Sequence, residues 1–291
     1  MSYAFIAAHT GEFPVGRMCE VLKVSRSGYY DWLKRKPSQR QKANAVLLAA
    51  IRREYQASRQ TYGSPRIHAA LQQQGTKASR KRIARLMQHH GLAAKRARKK
   101  RPVTTQRDPG ARAAPNLLEQ DFTASRPDEI WLADITYIET AGGWLYLAVV
   151  MDLFSRVIVG WSMADHLQAT LVEQALLMAL GRRRPTEDLL HHSDQGSQYT
   201  SELIQSLLDD HHIQVSMSGV GNCYDNAPME SFFGRLKSEC ALSSLATRAE
   251  TRLIIFEHIE VWYNRQRLHS SLGYLSPAAF EQHYYETNSV R

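Results

Sequence analysis

The spacing of hydrophobic positions changes near residue 128 and divides the chain into two kinds of predicted structure. Before this point, apolar side chains recur at helical spacing, which predicts helices at about 40–58, 65–74 and from 80 onward. After it, short runs rich in β-branched and aromatic residues alternate with helical patterns. These runs predict five strands, at about 130–139, 144–152, 156–163, 188–193 and 213–217, and four helices, at about 168–181, 200–211, 227–240 and 249–264.

The ends of the early helices carry capping residues. Ser64 and Pro65 predict an N-cap and a first helical position, and Gly75 predicts the stop of the same helix. Ser79 then caps a helix that is basic on one side and apolar on the other. A helix, a glycine-containing turn and a basic helix are typical of a reader of the DNA major groove. Two shorter helices predicted within 14–36 form either a further helix-turn-helix or only a small aromatic core.

Basic residues are concentrated in the first part of the chain. Residues 1–120 contain 25 Lys and Arg against 6 Asp and Glu, whereas residues 121–291 contain 12 against 22. This division is expected for a DNA-binding arm joined to a metal-binding core, although a solvated helical surface without a partner has the same composition. The candidate DNA contacts are Arg66, Lys81, Arg82, Arg85, Lys95, Arg96, Arg98, Lys99, Lys100, Arg101 and Lys237.

These patterns predict five segments in chain order. Residues 1–60 form a helical region that could include a helix-turn-helix, and 61–101 form a helix-turn-helix-like DNA-binding segment with a basic tail. A proline-containing linker (102–127), a catalytic core (128–245) and a helical extension (246–291) follow. No apolar run approaches about 18 residues and the amino terminus lacks a signal-peptide pattern, so we expect a cytoplasmic protein without membrane contact. The three widely spaced cysteines are expected to be reduced thiols.

Three acidic residues lie on separate predicted elements, at positions where a divalent cation could compensate their charge. Asp134 lies inside a predicted strand, Asp194 ends another strand just before Gly196, and Glu230 lies on a predicted helix with 35 residues between it and Asp194. A charge within a buried strand is costly unless it is compensated, and a divalent cation is one such compensation. Carboxylates on separate elements could hold a pair of Mg²⁺ ions, which stabilise the attacking and the leaving oxygen at a phosphodiester.

Other polar residues have a structural interpretation beside the functional one. Asp152, at the end of the second strand, is better explained as a turn-capping residue, and Asp225 or Asn226 as the N-cap of the helix that bears Glu230. Lys237 either touches a phosphate or is a solvated helix lysine. The histidine pairs lack the Cys and His spacing of zinc fingers, so the sequence does not predict zinc.

The segment 263–274 is rich in cationic side chains. Arg265, Arg267 and His269 alternate along its first part. These side chains could bind DNA, or they could dock the last helix against the core. The sequence leaves both open.

Five short motifs stand in a fixed order along the chain. They read WLADITY (131–137), DLFSR (152–156), HSDQGSQY (192–199), NAPMESFF (226–233) and YNRQRLH (263–269). With Asp134, Asp194 and Glu230 inside them, they resemble the second-frame product of the insertion sequence 3 family of bacterial transposases. That family belongs to the DDE and retroviral-integrase-like superfamily, and the resemblance covers essentially the whole chain.

The resemblance implies an α/β ribonuclease H-like core, a mixed five-stranded sheet with flanking helices, preceded by an all-α helix-turn-helix-type DNA-binding region. It implies that Asp134, Asp194 and Glu230 are the catalytic triad and hold two Mg²⁺ ions per active site, for which Mn²⁺ can substitute. The implied reaction is phosphodiester cleavage at insertion-sequence ends followed by strand transfer.

The resemblance also implies partners and a location. The partners are double-stranded DNA (the terminal inverted repeats and the target), further copies of this chain on DNA, and an upstream-frame helix-turn-helix partner or fusion. The implied location is the bacterial cytoplasm, in association with the nucleoid.

Two functions of other classes share part of this pattern. A DNA-binding regulator of transposition would keep the basic arm without catalysis of its own, and the intact Asp134, Asp194 and Glu230 argue against it. A ribonuclease H-like nuclease would share the metal site but would not join strands. The basic helical arm argues against that nuclease, and a strand-joining assay separates the two activities.

Overall fold

The structure is a computed structural model of the chain, and it describes residues 2–95, 114–219, 223–240, 242 and 245–288. The chain divides into two compact units, Met1–Arg52 and Arg53–Arg291. This boundary falls before the predicted one at residue 60, so the segment 53–60 belongs to the second unit. Within the described residues, no helix is long and apolar enough to cross a bilayer.

The first unit is built from short helices around a small aromatic core. Its helices are α1 (Ser2–Ala8), α2 (Val15–Val21), α3 (Arg26–Lys34) and the first part of α4 (Gln39–Ala57). Ser25 caps α3, because its hydroxyl accepts a hydrogen bond from the backbone N–H of Gly28. The residues buried together are Ile6, Met18, Cys19 and Tyr29. The aromatic core that the sequence allowed for 14–36 is therefore present, and α1, which was not predicted, adds Ile6 to it.

Two helices follow near the start of the second unit, α5 (Ser64–Gln73) and α6 (Arg80–His89). Gly63 occupies the N-cap position of α5, so the prediction of Ser64 as the cap was wrong by one residue. Gly75 follows α5 with a φ of +77°, a left-handed conformation that favours glycine, as expected at a helix end. Ser79 caps α6 as predicted, because its hydroxyl accepts from the backbone N–H of Arg82 at 3.3 Å.

A central sheet of five strands has the order β3-β2-β1-β4-β5. The strands are β1 (Ile130–Thr140), β2 (Gly143–Asp152), β3 (Ile158–Ala164), β4 (Leu190–Ser193) and β5 (Gln214–Met217). The first three pair antiparallel, whereas β4 pairs parallel with both β1 and β5. This mixed sheet confirms the predicted ribonuclease H-like fold class, and it places β1 in the middle.

Helices cover both faces of the sheet, because successive side chains of a strand point to opposite faces. The covering helices are α7 (Ala169–Arg183), α8 (Glu202–Asp210) and α9 (Ala227–Glu239). The first two pack on the face that carries Trp131, and α9 packs on the face that carries Leu132. Gly160 lets β3 approach α7 closely, since a Cβ there would lie 2.1 Å from the carbonyl oxygen of Ala175.

The carboxy-terminal extension packs on the same core. α10 (Arg248–Glu257) continues into a π-helical segment, His258–Tyr263, and α11 (Pro277–Asn288) follows. The π-helical segment buries Ile259 and Tyr263 in the hydrophobic cluster of α9. α11 was not predicted from the sequence, and Arg183 holds it in place, with Nη2 2.7 Å from Oε2 of Glu281.

Part of the predicted linker 102–127 belongs to the core. The backbone N–H of Leu117 donates to the hydroxyl of Ser216 in β5 at 2.9 Å, and Leu118 is buried in the hydrophobic cluster of α9. Residues 114–127, which were predicted as linker, therefore include contacts with the core. Residues 96–113 lie outside the described part of the chain, and with them lie the candidate DNA contacts Arg96, Arg98, Lys99, Lys100 and Arg101.

Candidate active site

Asp134 and Asp194 stand on neighbouring parallel strands. β1 pairs with β4 from Ile130–Leu190 to Leu132–His192, and the same register extended by two residues sets position 134 beside position 194. Asp134 is two residues after Leu132 in β1, so the two side chains lie on the same face of the sheet, the face that α9 covers. The fold therefore brings two carboxylates that are 60 positions apart in the sequence to one place.

Backbone N–H groups orient both carboxylates. Oδ1 of Asp134 accepts from the N–H of Ile135 at 2.7 Å, and Oδ1 of Asp194 accepts from the N–H of Gly196 at 2.9 Å. Position 196 has little room for a side chain, because a Cβ there would lie 2.9 Å from Oδ1 of Asp194. Gly196 therefore leaves room for the Asp194 carboxylate in this position.

The charged form of Asp134 is disfavoured. Burial, followed by the charge of Asp194, raises the pKa of Asp134 to about 8, and the charge of Glu230 acts in the same direction. The N–H of Ile135 and the ammonium of Lys237 oppose this shift without cancelling it. Burial and the same two aspartates also raise the pKa of Tyr199. The three acids therefore form one electrostatic cluster with an excess of negative charge.

Glu230 comes from α9, and the start of that helix is tied to β1. Pro228 lies in the first turn as predicted, and the buried stripe consists of Met229, Phe232, Phe233 and Leu236. Nδ2 of Asn226 donates to the carbonyl oxygen of Ala133 at 3.1 Å, one residue before Asp134. This hydrogen bond links the position of the helix to that of the first aspartate.

The three acids do not form a closed ion shell. Among the described residues, no three His, Cys, Asp or Glu side chains lie close enough together to hold one metal ion. Glu230 is exposed, and its charge acts on Asp134. The structure thus sets the two aspartates side by side and keeps Glu230 within electrostatic range of Asp134.

A buried polar network that the sequence did not reveal lies next to these acids. Of the two predicted N-cap candidates, Asn226 occupies the N-cap position of α9. Asp225 instead accepts hydrogen bonds from Asn116 Nδ2 at 3.1 Å, Gln120 Nε2 at 2.9 Å and the N–H of Gly219 at 2.8 Å. The ring of His192 bonds the hydroxyl of Ser216 at 2.9 Å. Burial lowers the pKa of His192, and Asp225 acts in the opposite direction. These partners come from distant parts of the chain, so no local motif indicated them.

Asp152 and Lys237 can now be located. Asp152 caps its turn as predicted, accepting from the N–H of Ser155 at 2.7 Å and from the N–H of Asp128 at 2.9 Å. Lys237 is exposed, and its Nζ lies 5.2 Å from the ring centre of Tyr137. Its charge also favours the ionised form of Asp134. Lys237 therefore lies at the acid cluster, and its contact with a phosphate remains a prediction.

The segment 263–274 docks the extension through its buried residues. Arg267 is 1% exposed, and its Nε lies 2.9 Å from Oε2 of Glu239 at the end of α9. The amide of Asn264 bonds both the N–H and the carbonyl oxygen of Ile158 in β3. Burial, followed by the charge of Arg267, lowers the pKa of His269 to about 3, so its ring is neutral. Of the two interpretations of this segment, the structure supports docking for Arg267.

The candidate DNA contacts of α6 lie on its outer side. Lys81 and Arg85 are exposed and Arg82 is half-buried, whereas Ile83 and Met87 are buried. The helix therefore presents its basic side to solvent. DNA contact by these residues remains a prediction.

Arg66, predicted with the same group, faces another part of the second unit. Its Nε donates to the carbonyl oxygen of Leu268 at 2.9 Å, and its guanidinium lies 5.9 Å from the ring centre of Tyr62. Lys95 is exposed and lines the same groove as Arg66. These two candidates are therefore separate from the basic side of α6.

Family models match three parts of the chain. An integrase core domain model matches residues 124–223, and a second integrase core domain model matches residues 211–277. An HTH-like domain model matches residues 41–100. The integrase matches contain all three acids, and the HTH-like match contains α5 and α6.

Solved structures show weaker likeness. The catalytic core domain of HTLV-2 integrase in complex with magnesium has a TM-score of 0.43 and 16% identity, and covers 55% of this chain and 99% of that chain. A chain of the simian T-cell lymphotropic virus intasome in complex with the PP2A regulatory subunit B56 gamma has a TM-score of 0.45 and 17% identity, covering 73% and 69%.

Similar sequences match nearly the full length. The transposase InsF for insertion sequence IS3A of Escherichia coli (strain K12) is 45% identical over 288 residues, which are 97% of this chain and 98% of that protein. The insertion element IS600 uncharacterized 31 kDa protein of Shigella sonnei is 44% identical over 271 residues, 92% of this chain and 99% of that protein. With its integrase core, its HTH-like region and this identity, the chain belongs to the insertion sequence 3 family of transposases.

Proposed function

We propose that the chain is the catalytic subunit of a DNA transposase, which cleaves phosphodiesters at insertion-element ends and transfers the resulting strands to target DNA. The observation that carries this proposal is the placement of Asp134 beside Asp194 on neighbouring strands, with the charge of Glu230 acting on Asp134. Family membership supports the reaction class. The roles of the three acids and of the metal are our inference.

The acids fit a divalent cation by their chemistry. All three supply carboxylate oxygens, which Mg²⁺ and Mn²⁺ prefer. Their mutual repulsion contributes to the raised pKa of Asp134, and a cation would relieve it. We assign Asp134 and Asp194 as residues that would hold the metal. Glu230 is exposed, its charge acts on Asp134, and we assign it as a further residue that would hold the metal.

Such ions, when bound, activate water or a DNA 3′-hydroxyl for in-line attack and stabilise the leaving 3′-oxygen. The residues of this chain hold the reacting groups in place. The N–H groups of Ile135 and Gly196 orient the two aspartates, and Asn226 fixes the start of the helix that bears Glu230. Because the nucleophile is water or a DNA hydroxyl, the reaction needs no serine or tyrosine nucleophile.

The proposed partners follow from this reaction. The exposed basic side of α6 is suited to double-stranded DNA, and we infer that it contacts the terminal inverted repeats through Lys81, Arg82 and Arg85. Two ends must be brought together for transfer, so we infer that several copies of the chain act on DNA. Family membership supports an upstream-frame helix-turn-helix product as a further partner or fusion.

The test pairs a duplex carrying the cognate 3′ end with target DNA and Mg²⁺. It compares wild type with Glu230→Gln and with Glu202→Gln, a matched control at an exposed glutamate in the first turn of α8. Wild type and Glu202→Gln should cut and join, whereas Glu230→Gln should do neither. All three proteins should melt at similar temperatures, because both glutamates are exposed.

The outcomes separate the alternatives. If Glu230→Gln joins DNA at the wild-type rate, Glu230 is not part of the active site. Cutting by wild type without joining would favour a ribonuclease H-like nuclease. Binding without any Mg²⁺-dependent chemistry, both alone and with the fused upstream partner, would leave the regulator of transposition as the better account.

A further inference from the structure

A groove of about 700 Å³ lies beside the acid cluster. Its walls come from the start of α5, one side of α9 and the segment after the π helix, all within the second unit. We call it the α5–α9 groove and define it by Arg66, Lys95, Glu230, Gly234, Arg235 and Arg267. Because Glu230 is one of its lining residues, the groove is continuous with the acid cluster.

Positive charge exceeds negative charge in this groove. Its lining contains four Lys or Arg residues and two acids, Glu230 and Glu239. Arg267 engages Glu239. Within the described part of the chain, neither Arg66 nor Arg235 forms an ion pair. These two guanidinium groups therefore have no direct carboxylate partner within the described part of the chain.

The hydrogen bonds of these arginines leave donors available. Arg66 uses its Nε on the carbonyl oxygen of Leu268, and Arg235 uses its Nε on the hydroxyl of Ser231 at 3.3 Å. Nη1 of Arg267 is buried, and it has no hydrogen-bond partner among the described residues. An arginine donor buried without a partner is costly, and a nearby anion is the usual compensation for such a cluster.

The pKa of Arg66 also indicates that an anion would stabilise the arginines of the α5–α9 groove. Burial, followed by the charges of Arg267 and Arg235, lowers the pKa of Arg66 to about 10. An anion in the groove would reverse this effect, since it stabilises each guanidinium that it touches.

The groove has a floor on which a chain-like anion could lie. Glu230 and Arg235 are five residues apart on α9, which is about 7.5 Å along the helix axis. Gly234 lies between them, and a Cβ at that position would meet no atom within 4 Å. A strand that passes over Gly234 could therefore place one phosphate at Arg235 and the next phosphodiester at Glu230.

We propose that the α5–α9 groove binds the sugar-phosphate backbone of the DNA strand that reacts at the acids, with Arg66 and Arg235 donating to its phosphate oxygens. This rests on the proposed function, because a polynucleotide is the anion that spans the groove and the acids together. It assigns Arg66 to the reacting strand rather than to the duplex read by α6. Arg235 becomes a substrate-binding residue.

The experiment measures DNA affinity of the full chain in EDTA, so that no chemistry occurs, over a series of salt concentrations. Gly234→Glu and Gly234→Gln add side chains of equal size that differ by one charge. Gly181→Glu is the matched control, because it adds the same charge at an exposed glycine of α7 with equally open space. Gly234→Glu should bind DNA about tenfold more weakly than Gly234→Gln, and Gly181→Glu should bind like wild type.

A second variant tests the phosphate contact itself. Arg235→Gln should reduce the slope of log affinity against log salt by about 1, the change expected for one lost phosphate contact. A thermal-shift arm with inorganic phosphate alone distinguishes a small-anion site from a strand site. Stabilisation by phosphate in wild type, with no loss of DNA affinity in Arg235→Gln, would overturn the strand proposal.

Different results would overturn DNA binding in the α5–α9 groove and catalysis at the acids. Equal DNA affinities for Gly234→Glu, Gly234→Gln and Gly181→Glu would overturn the groove, even if wild type cuts and joins DNA. A charge-dependent loss at Gly234 in a protein without Mg²⁺-dependent chemistry would keep the groove as a DNA site and reject the catalytic proposal.

Discussion

Arg267 and Glu239 form an ion pair in the interior of the second unit, where their side chains are only 1% and 6% exposed. The pair joins the segment after the π helix to the last turn of α9, the helix that carries Glu230. A guanidinium with a bidentate carboxylate partner is well suited to such a buried position. The carboxy-terminal extension is thereby fixed to α9.

Breaking this pair should destabilise the protein strongly. Arg267→Ala leaves the Glu239 carboxylate buried without its partner, which costs about 3–5 kcal/mol. Arg265→Ala, two positions away and exposed, should change stability by less than about 0.5 kcal/mol. Urea denaturation of the two variants measures the difference. Equal stabilities would mean that the pair does not hold the extension in place.

Asp134→Asn should stabilise the metal-free protein while it abolishes the chemistry. The pKa of Asp134 is raised to about 8, so the folded state binds its proton more tightly than the unfolded state. Its favourable contribution is therefore complete at low pH and is lost as pH rises from about 4 to about 8.

Thermal melts in EDTA provide the check. The Asp134→Asn substitution should raise the melting temperature by about 3 °C or more at pH 8.5, and the difference should shrink towards pH 5. Mg²⁺ should stabilise wild type more than the variant, since the variant lacks one ligand. A variant that melts below wild type at every pH would contradict the raised pKa of Asp134.

His258 should make stability sensitive to mild acid. Burial lowers its pKa to about 4, and neither ring nitrogen has a hydrogen-bond partner among the described residues. The unfolded state takes up a proton near pH 6.5, so stability falls as pH drops from about 6.5 to about 4, by at most about 1.4 kcal/mol per pH unit. His258→Phe should flatten this dependence, whereas His283→Phe, at an exposed position of α11, should not.

Gly160 and Gly181 should respond to alanine in opposite directions. At Gly160 a Cβ would lie 2.1 Å from the backbone oxygen of Ala175, so Gly160→Ala forces β3 and α7 apart and should cost about 1–3 kcal/mol. At Gly181 the space is open and the backbone helical, so Gly181→Ala should add about 0.5–1 kcal/mol. Differential scanning calorimetry of both variants checks the pair; a tolerated Gly160→Ala would contradict the close packing.

Elements with strong local periodicity were predicted well from the sequence. All five strands and the helices α4 to α9 were identified with small errors at their ends, because their apolar patterns decide which face is buried. Asp152 was assigned correctly because a turn cap depends on residues close in sequence. α1 and α11 were missed, since their short or mixed patterns gain stability only from contacts made elsewhere.

Contacts with distant partners were the ones that sequence patterns did not reveal. Asp225 stands where an N-cap is expected, yet its partners Asn116 and Gln120 come from a segment predicted as linker. Arg66 stands among helix-turn-helix residues, yet it bonds Leu268. In both cases the local pattern was ambiguous, and long-range packing decided the outcome.

The order of the strands constrains how the protein can form during synthesis. β1 emerges first and pairs at once with β2 on one edge, but its other edge stays open until β4 has left the ribosome. Glu230 follows later, and Arg267, which secures the far end of its helix, later still. We expect a prematurely terminated chain to expose an unpaired strand edge and a Glu239 without Arg267, and so to be removed by proteolysis.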